Sequence, residues 1–199
     1  YISSLSVLHA SLSRPGKKIK EDWPLEPHPE RRGHYTYAKL AAERIVVQAV
    51  KEKGLRAVIL RPGQVFGPGA PVLTPAVARR VKDRFIVLGN GRLVLPLVYV
   101  EDVVDAILQA ATLPKKEGAI FQLVDSAQIT QNDFLNLYMT RRGIDGKVVH
   151  FPLIFVYGMA FGIQLLCKLL RRPAPLSIYR VASALAPEAV AAVDGLAAG

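Results

Sequence analysis

Cysteine is nearly absent from this sequence: its 199 residues include one, Cys167. A single thiol excludes a disulfide scaffold and a cysteine zinc cluster, and it is consistent with a reducing, cytoplasmic compartment. The four histidines show no metal-ligand spacing, so no metal site is expected.

Acidic side chains are too few to balance the basic ones. The 26 Lys and Arg residues against 16 Asp and Glu give a formal net charge of +10. A basic balance favours anionic partners. The basic residues are nevertheless scattered in small groups, without the interleaved aromatic residues that a single-strand nucleic-acid surface needs. We therefore expect a solvated basic surface and no specific nucleic-acid partner.

The sequence also lacks an apolar run of the length that spans a membrane. The uncharged stretch 151–167 has 17 residues, whereas a spanning helix needs about 20. A buried or groove-lining helix, a helix at a membrane surface and a spanning helix are the open interpretations. Lys168, Arg171 and Arg172 follow the stretch and could meet lipid phosphates. Peripheral membrane contact through 152–172 is therefore an alternative to a purely cytoplasmic protein.

Along the chain, the spacing of apolar residues changes between the pattern typical of strands and the pattern typical of helices. Strands are predicted at 1–4, 57–60, 85–88, 95–100, 120–124 and 148–149, and helices at 35–52, 75–82, 101–111, 130–141, 152–170 and 176–185. Strands that alternate with helices predict an α/β protein with a largely parallel sheet. Residues 10–34 are interpreted as a long irregular connection, and 186–199 as a weakly specified tail.

The helix predicted over 35–52 carries the first chemical signal. Tyr35 and Lys39 are four residues apart and therefore share one helix face. Because a nearby ammonium stabilises a phenolate, such a pair can exchange a proton with a substrate oxygen. By itself this spacing is common on solvated helices. Leu40 is expected to face the core from this helix, and Glu43 to lie away from it.

Three further motifs occur around this pair in a fixed order. Residues 3–4 are Ser-Ser at the end of an apolar segment, 61–69 read Arg-Pro-Gly-Gln-Val-Phe-Gly-Pro-Gly after a predicted strand, and 98–103 read Val-Tyr-Val-Glu-Asp-Val. A rigid loop at the carboxyl end of a parallel strand is where open α/β sheets bind ligands. Together with Tyr-x-x-x-Lys, these motifs resemble the extended short-chain dehydrogenase/reductase family, the NAD-dependent epimerase/dehydratase group, over residues 1–185. The resemblance implies a Rossmann-like fold with a small α/β substrate-binding region.

The resemblance also implies roles for individual residues. Ser4 would polarise the substrate carbonyl or hydroxyl group, with Ser3 as the alternative, and Tyr35 would be the general acid/base. Lys39 would stabilise the phenolate and hold the ribose hydroxyls of the nicotinamide. The cofactor, NAD or NADP, would supply the hydride chemistry. The residues implied at the cofactor are Tyr35, Lys39, Pro62, Gly63, Gln64 and Val65, and those implied at the substrate are Ser4, Gln64 and Arg92.

Two departures from the family pattern concern the cofactor and the substrate. The sequence has no Gly-x-x-Gly-x-x-Gly segment, which holds a pyrophosphate at a helix N-terminus. We therefore expect the chain to be the later part of a longer protein and to be inactive alone. Where nucleotide-sugar relatives often carry an arginine, this sequence has Leu95 in an apolar segment. That segment and the apolar helix at 151–170 resemble the 3β-hydroxysteroid/sterol dehydrogenase branch.

The favoured interpretation is an NAD(P)-dependent enzyme that oxidises, epimerises or dehydrates a secondary alcohol or ketone. A nucleotide-sugar-like substrate is expected first, and a sterol-like substrate is the alternative. The rival hypotheses from other classes are a non-catalytic binding relative and a membrane-surface protein. A homodimer is a further expectation of the resemblance.

Overall fold

The chain alternates helices and strands, as its apolar pattern predicts. The computed structural model describes residues 1–12, 19–112, 117–127, 129–170, 172 and 178–184. The expected tail at 186–199 lies outside these ranges. After two short 3₁₀ turns, Leu5–Val7 and Ala10–Leu12, the elements are α1 (Pro29–Arg32), α2 (His34–Lys53), β1 (Ile59–Pro62), β2 (Gln64–Phe66), β3 (Arg79–Val81), β4 (Arg84–Leu88), β5 (Leu97–Tyr99), α3 (Val100–Thr112), β6 (Ile120–Leu123), α4 (Gln131–Arg142), β7 (Lys147–Phe151), α5 (Leu153–Leu169) and α6 (Ile178–Ala184).

The first of two compact units comprises Tyr1–Val72 and Pro96–Gln128. In it β1 pairs in parallel with β6, and β2 pairs in parallel with β5. The strand expected at 1–4 is reduced to one parallel bridge between Ile2 and Leu60. One core cluster packs α2 against the first residues of the chain (Leu5, Val7, Leu8, Ile19, Leu40), and a second packs α3 against the strands (Leu60, Val98, Val103, Ala106, Leu123).

The second unit comprises Leu73–Leu95 and Ile129–Pro187, as far as these residues are described. Its sheet has the order β3-β4-β7, with β4 antiparallel to β3 and parallel to β7. The helix predicted over 75–82 is wrong, because residues 79–81 form β3. The exposed edge of β4 offers a backbone hydrogen-bond partner there, and that tertiary pairing overrides the helical composition of the segment.

Helix ends follow the chemistry that the sequence indicates. Gly54 ends α2 in the left-handed conformation, at φ +64°, and its amide bonds to the Ala49 carbonyl. At the start of α4, the Thr130 hydroxyl accepts a hydrogen bond from the Asp133 amide, and the Asp133 carboxylate accepts one from the Thr130 amide. This reciprocal capping box satisfies backbone donors that a helix start otherwise leaves unpaired.

Helix α5 is apolar on both its inward and its outward face. Val156 and Ala160 are buried with Val181 of α6. Seven large apolar residues of α5 are nevertheless exposed: Ile154, Phe155, Met159, Phe161, Leu165, Leu166 and Leu169. Among the described residues, none of the helices combines the length and apolarity that a membrane crossing requires.

Replacing Thr130 by Ala tests the capping box. The change removes the hydroxyl that accepts from the Asp133 amide, so we expect the free energy of unfolding to fall by about 1 kcal/mol. Urea denaturation followed by circular dichroism measures this loss. Thr140→Ala, in the exposed part of the same helix, is the control. An equal loss in both variants would contradict the role of the cap.

Candidate active site

Tyr35 and Lys39 lie together on one face of α2. Tyr35 is 61% exposed, and the Lys39 Nζ atom lies 6.0 Å from the centre of its ring. The same Nζ donates a hydrogen bond to the Ile2 carbonyl at 3.0 Å. The ammonium is thereby fixed between the helix and the first residues of the chain, and it retains two further N–H groups.

Tyr1 lies on another side of the same ammonium. Its ring centre is 5.9 Å from Lys39 Nζ. Burial, and after it the electrostatic influence of Glu43 and then of Tyr35, raises the pKa of the Tyr1 hydroxyl. This phenol therefore stays neutral over a wider pH range than a free tyrosine side chain.

The two adjacent serines make different hydrogen bonds. Ser3 is 1% exposed, and its hydroxyl donates to Glu43 Oε2 at 2.5 Å. Ser4 caps the 3₁₀ turn Leu5–Val7, and its Oγ accepts a hydrogen bond from the Ser6 amide at 3.2 Å. In its bond to the Ser6 amide, the Ser4 oxygen acts as an acceptor, so the Ser4 hydroxyl proton can still be donated to another group. The Ser3 hydroxyl proton is already donated to the Glu43 carboxylate.

Glu43 is the residue whose position the sequence interpretation missed. The helical pattern predicts that it lies away from the core, but it is 1% exposed. Arg61 binds its carboxylate with two hydrogen bonds, from Nη2 to Oε1 at 2.6 Å and from Nε to Oε2 at 3.1 Å. A paired charge can be buried where an isolated one cannot. Arg61 within an otherwise apolar strand was the available signal, because a buried arginine requires an acidic partner.

The segment after β1 is held by its backbone. The Gly63 amide donates to the Leu123 carbonyl at 2.9 Å, and the Gln64 amide donates to the Pro96 carbonyl at 2.7 Å. A Cβ atom on Gly63 would lie 2.1 Å from the Pro96 carbonyl oxygen, so only glycine permits this close approach. Pro62 is buried, Gln64 half-buried and Val65 39% exposed. The loop expected at 62–65 is wrong, because Pro62 ends β1 and Gln64 and Val65 belong to β2, where each pairs with a neighbouring strand. Only Gly63 lies between the two strands, and Val65 meets solvent.

Arg92 and Leu95 belong to the second unit. Arg92 is exposed, and its backbone amide donates to Asn90 Oδ1 at 3.1 Å. Leu95 is 3% exposed and is a packing residue. A substrate contact by Arg92 therefore stays a prediction.

Within the described ranges, no group of three or more His, Cys, Asp or Glu side chains could hold a metal ion.

An exposed tyrosine–lysine pair beside a serine segment, in a unit with parallel strand pairing, defines the short-chain dehydrogenase class of Rossmann-like proteins. Within that class, the chain belongs to the NAD dependent epimerase/dehydratase family, whose profile matches residues 1–123. The family resemblance stated from the motifs is thereby confirmed.

Curated relatives agree with this assignment. The chain is 30% identical over 154 residues to the human (Homo sapiens) protein named sterol-4-alpha-carboxylate 3-dehydrogenase, decarboxylating, a match that covers 72% of the chain and 40% of the relative. It is 25% identical over 163 residues to 3beta-hydroxysteroid-dehydrogenase/decarboxylase isoform 1 of Arabidopsis thaliana, which covers 76% of the chain and 37% of that protein. The chain thus spans about two fifths of the length of these relatives.

Solved structures share the fold. The crystal structure of gox2253 matches with a TM-score of 0.73 at 22% identity, over 93% of this chain and 55% of that one. The UDP-glucose 4-epimerase of Thermus thermophilus, solved as a complex with NAD, matches with a TM-score of 0.59 at 23% identity, over 76% of this chain and 50% of that one. These likenesses confirm the expected α/β, Rossmann-like fold.

A Gly63→Ala variant tests the close approach of Gly63 to the Pro96 carbonyl oxygen. Its Cβ would collide with a backbone carbonyl oxygen, so we expect a loss of about 1–3 kcal/mol in the free energy of unfolding. Gly158→Ala is the control, because a Cβ on this helical glycine meets no atom within 4 Å and should stabilise by roughly 0.5–1 kcal/mol. Thermal unfolding compares the two. A Gly63 variant as stable as the unchanged protein would contradict the packing described here.

Proposed function

We propose that the protein containing this chain is an NAD(P)-dependent oxidoreductase or epimerase that acts on a secondary alcohol or ketone. The observation that carries the proposal is the pair of Tyr35 and Lys39, with an exposed phenol beside a fixed ammonium. Membership of the NAD dependent epimerase/dehydratase family supports the same activity.

The residues of the first unit fit the nicotinamide end of the cofactor. Lys39 has N–H groups beyond its bond to Ile2, and these suit ribose hydroxyls. The fixed backbone at Gly63, between β1 and β2, and the exposed Val65 suit a flat ring. When bound, NAD(P) supplies the acceptor or donor of the hydride. The chain has no Gly-x-x-Gly-x-x-Gly segment to hold the pyrophosphate.

Proton transfer is the task of this chain's own side chains. In the oxidation of an alcohol, the O–H bond breaks and Tyr35 takes the proton while the C–H bond gives up its hydride. The Lys39 ammonium stabilises the phenolate that accepts this proton. Ser4 donates its free hydroxyl proton to the substrate oxygen and so orients it. The hydrogen bond that occupies the Ser3 proton supports Ser4 over Ser3 for this role.

We favour a hydrophobic, sterol-like substrate over a nucleotide-sugar-like one. Leu95, which stands where an arginine would grip a nucleotide diphosphate, is buried and apolar. The curated relatives described above are named as sterol or 3beta-hydroxysteroid dehydrogenases. The nucleotide-sugar epimerase similarity lies below 25% identity and speaks only for the fold. Inhibition of turnover by uridine diphosphate would reverse this preference.

Replacing Tyr35 by Phe tests the proton transfer. The variant keeps the ring and loses the acid/base hydroxyl, so we expect kcat to fall about 100- to 10,000-fold. Nicotinamide absorbance at 340 nm follows the reaction in the protein that contains this chain. Tyr37→Phe is the matched control, because Tyr37 is 55% exposed and only two residues away on α2. A fall of the same size in both variants, or in neither, would refute the catalytic role of Tyr35.

Contact with a membrane surface is a second candidate function, favoured by the outward face of α5. Phe155 and Leu166 are 61% and 56% exposed, although large apolar side chains are normally covered. Lys168 and Arg172 follow at the end of this helix, where they could meet anionic headgroups. Arg171 lies outside the described residues.

The homodimer expected from the resemblance also stays a proposal, which the 67% exposure of Ile45 on α2 supports.

Vesicle sedimentation tests the membrane contact. The protein should pellet with phosphatidylcholine vesicles that contain phosphatidylserine, and high salt should weaken the binding because it screens the headgroup charges. The double change Phe155→Ser/Leu166→Ser should abolish it. Leu108→Ser is the control, since Leu108 is a similarly exposed apolar residue on α3. Equal binding by the double variant and the control would refute the contact through α5.

A further inference from the structure

A network of hydrogen bonds in the first unit is centred on the Glu43 carboxylate and the Arg61 guanidinium. Arg61 of β1 binds both carboxylate oxygens, and the Ser3 hydroxyl donates to one of them. The third guanidinium nitrogen of Arg61, Nη1, donates to the Glu21 carbonyl at 3.0 Å. Ser3, Glu43 and Arg61 are 1–2% exposed. The network therefore joins α2, β1, the segment of Ser3 and Ser4 and the segment before α1, and its three interacting side chains are buried.

The three side chains of the network stand close in sequence to residues of the candidate site. Ser3 precedes Ser4, Arg61 precedes the 62–65 segment, and Glu43 lies one helical turn after Lys39. A shift at the carboxylate would therefore move three elements of the site at once. None of these three side chains is exposed enough to meet a substrate itself.

A second ion pair fixes the same serine segment from its other end. Arg32 Nη1 donates to the Ser6 and Leu8 carbonyls, at 3.1 and 3.0 Å. The same nitrogen lies 3.8 Å from the carboxylate of Glu26, which is fully buried. Arg32 stands three residues before Tyr35. The residues around Ser4 are thus held to α2 through Ser3 and Glu43, and to α1 through Arg32.

We propose that Glu43, Arg61 and Ser3 are positioning residues that set the Ser4 hydroxyl against Tyr35 and Lys39. The inference rests on the proposed function for its catalytic consequence. The structural part of the proposal concerns the segment that carries Ser4. The Glu43–Ser3 hydrogen bond fixes this segment in addition to the packing of the core. Misplacement of a reacting group by about 1 Å can cost about 100-fold in rate, so a loose serine segment slows turnover in a folded protein.

The decisive experiment removes both buried charges together. Removing one leaves the other unpaired and would unfold the protein, whereas Glu43→Leu with Arg61→Met keeps the volume and leaves no orphan charge. We expect this double variant to fold, to lose about 100-fold in kcat with little change in KM, and to exchange the Ser6 amide hydrogen faster. Arg56→Met, which breaks the exposed pair with Glu117, is the control for charge removal alone.

Ser3→Ala tests the same inference without touching the ion pair. We expect a folded protein with a lowered melting temperature, because a buried hydrogen bond to a carboxylate is lost, together with a fall in kcat of about tenfold and faster exchange at Ser6. Ser6→Ala is the matched control, because the Ser6 hydroxyl is buried without a hydrogen-bond partner among the described residues. Its kcat and its amide exchange should not change.

The outcomes separate this inference from the proposed function. A folded double variant with unchanged exchange at Ser6 and unchanged kcat overturns the positioning role, as does a Ser3→Ala variant that behaves like Ser6→Ala. Amide exchange is read without any turnover, so it decides the structural part independently. Full activity in Tyr35→Phe would instead overturn the proposed function and leave the exchange result standing.

Discussion

The buried ion pair of Glu43 and Arg61 is the constraint on which the first unit depends. Removing each charge from water costs several kcal/mol, and only close pairing with further hydrogen bonds offsets that cost. Here two hydrogen bonds join the charges, and Ser3 and the Glu21 carbonyl occupy further positions around them. Helix α2 and strand β1 therefore cannot slide past each other without stranding a charge in the core.

One face of α2 passes from the core to solvent in two steps of four residues. Glu43 is 1% exposed, Lys39 is half-buried and Tyr35 is 61% exposed. The inner residue is fixed by an arginine, the middle one by a backbone carbonyl, and the outer one is open to a ligand. The same helical spacing thus places a buried, a half-buried and an exposed polar side chain in line on one face of α2.

The sequence relatives indicate the family of the chain, whereas the structural neighbours indicate its fold. The family match and the shared fold agree on a Rossmann-like member of the NAD dependent epimerase/dehydratase family. The preference for a hydrophobic substrate is a proposal that rests mainly on the names of the sequence relatives. The exposed apolar face of α5 supports the proposed membrane contact separately.

Local pattern alone determined the α/β class, the span of α2, the capping box of α4 and the ordered motifs that indicate the family. Each depends on residues close together in sequence, where periodicity and capping chemistry act. Tertiary structure decided that 79–81 form a strand and that Ser3 and Ser4 differ. It also decided that Glu43 is buried, because its partners Arg61 and Ser3 are 18 and 40 residues away. A helical glutamate is expected to be solvated until the fold brings an arginine to it.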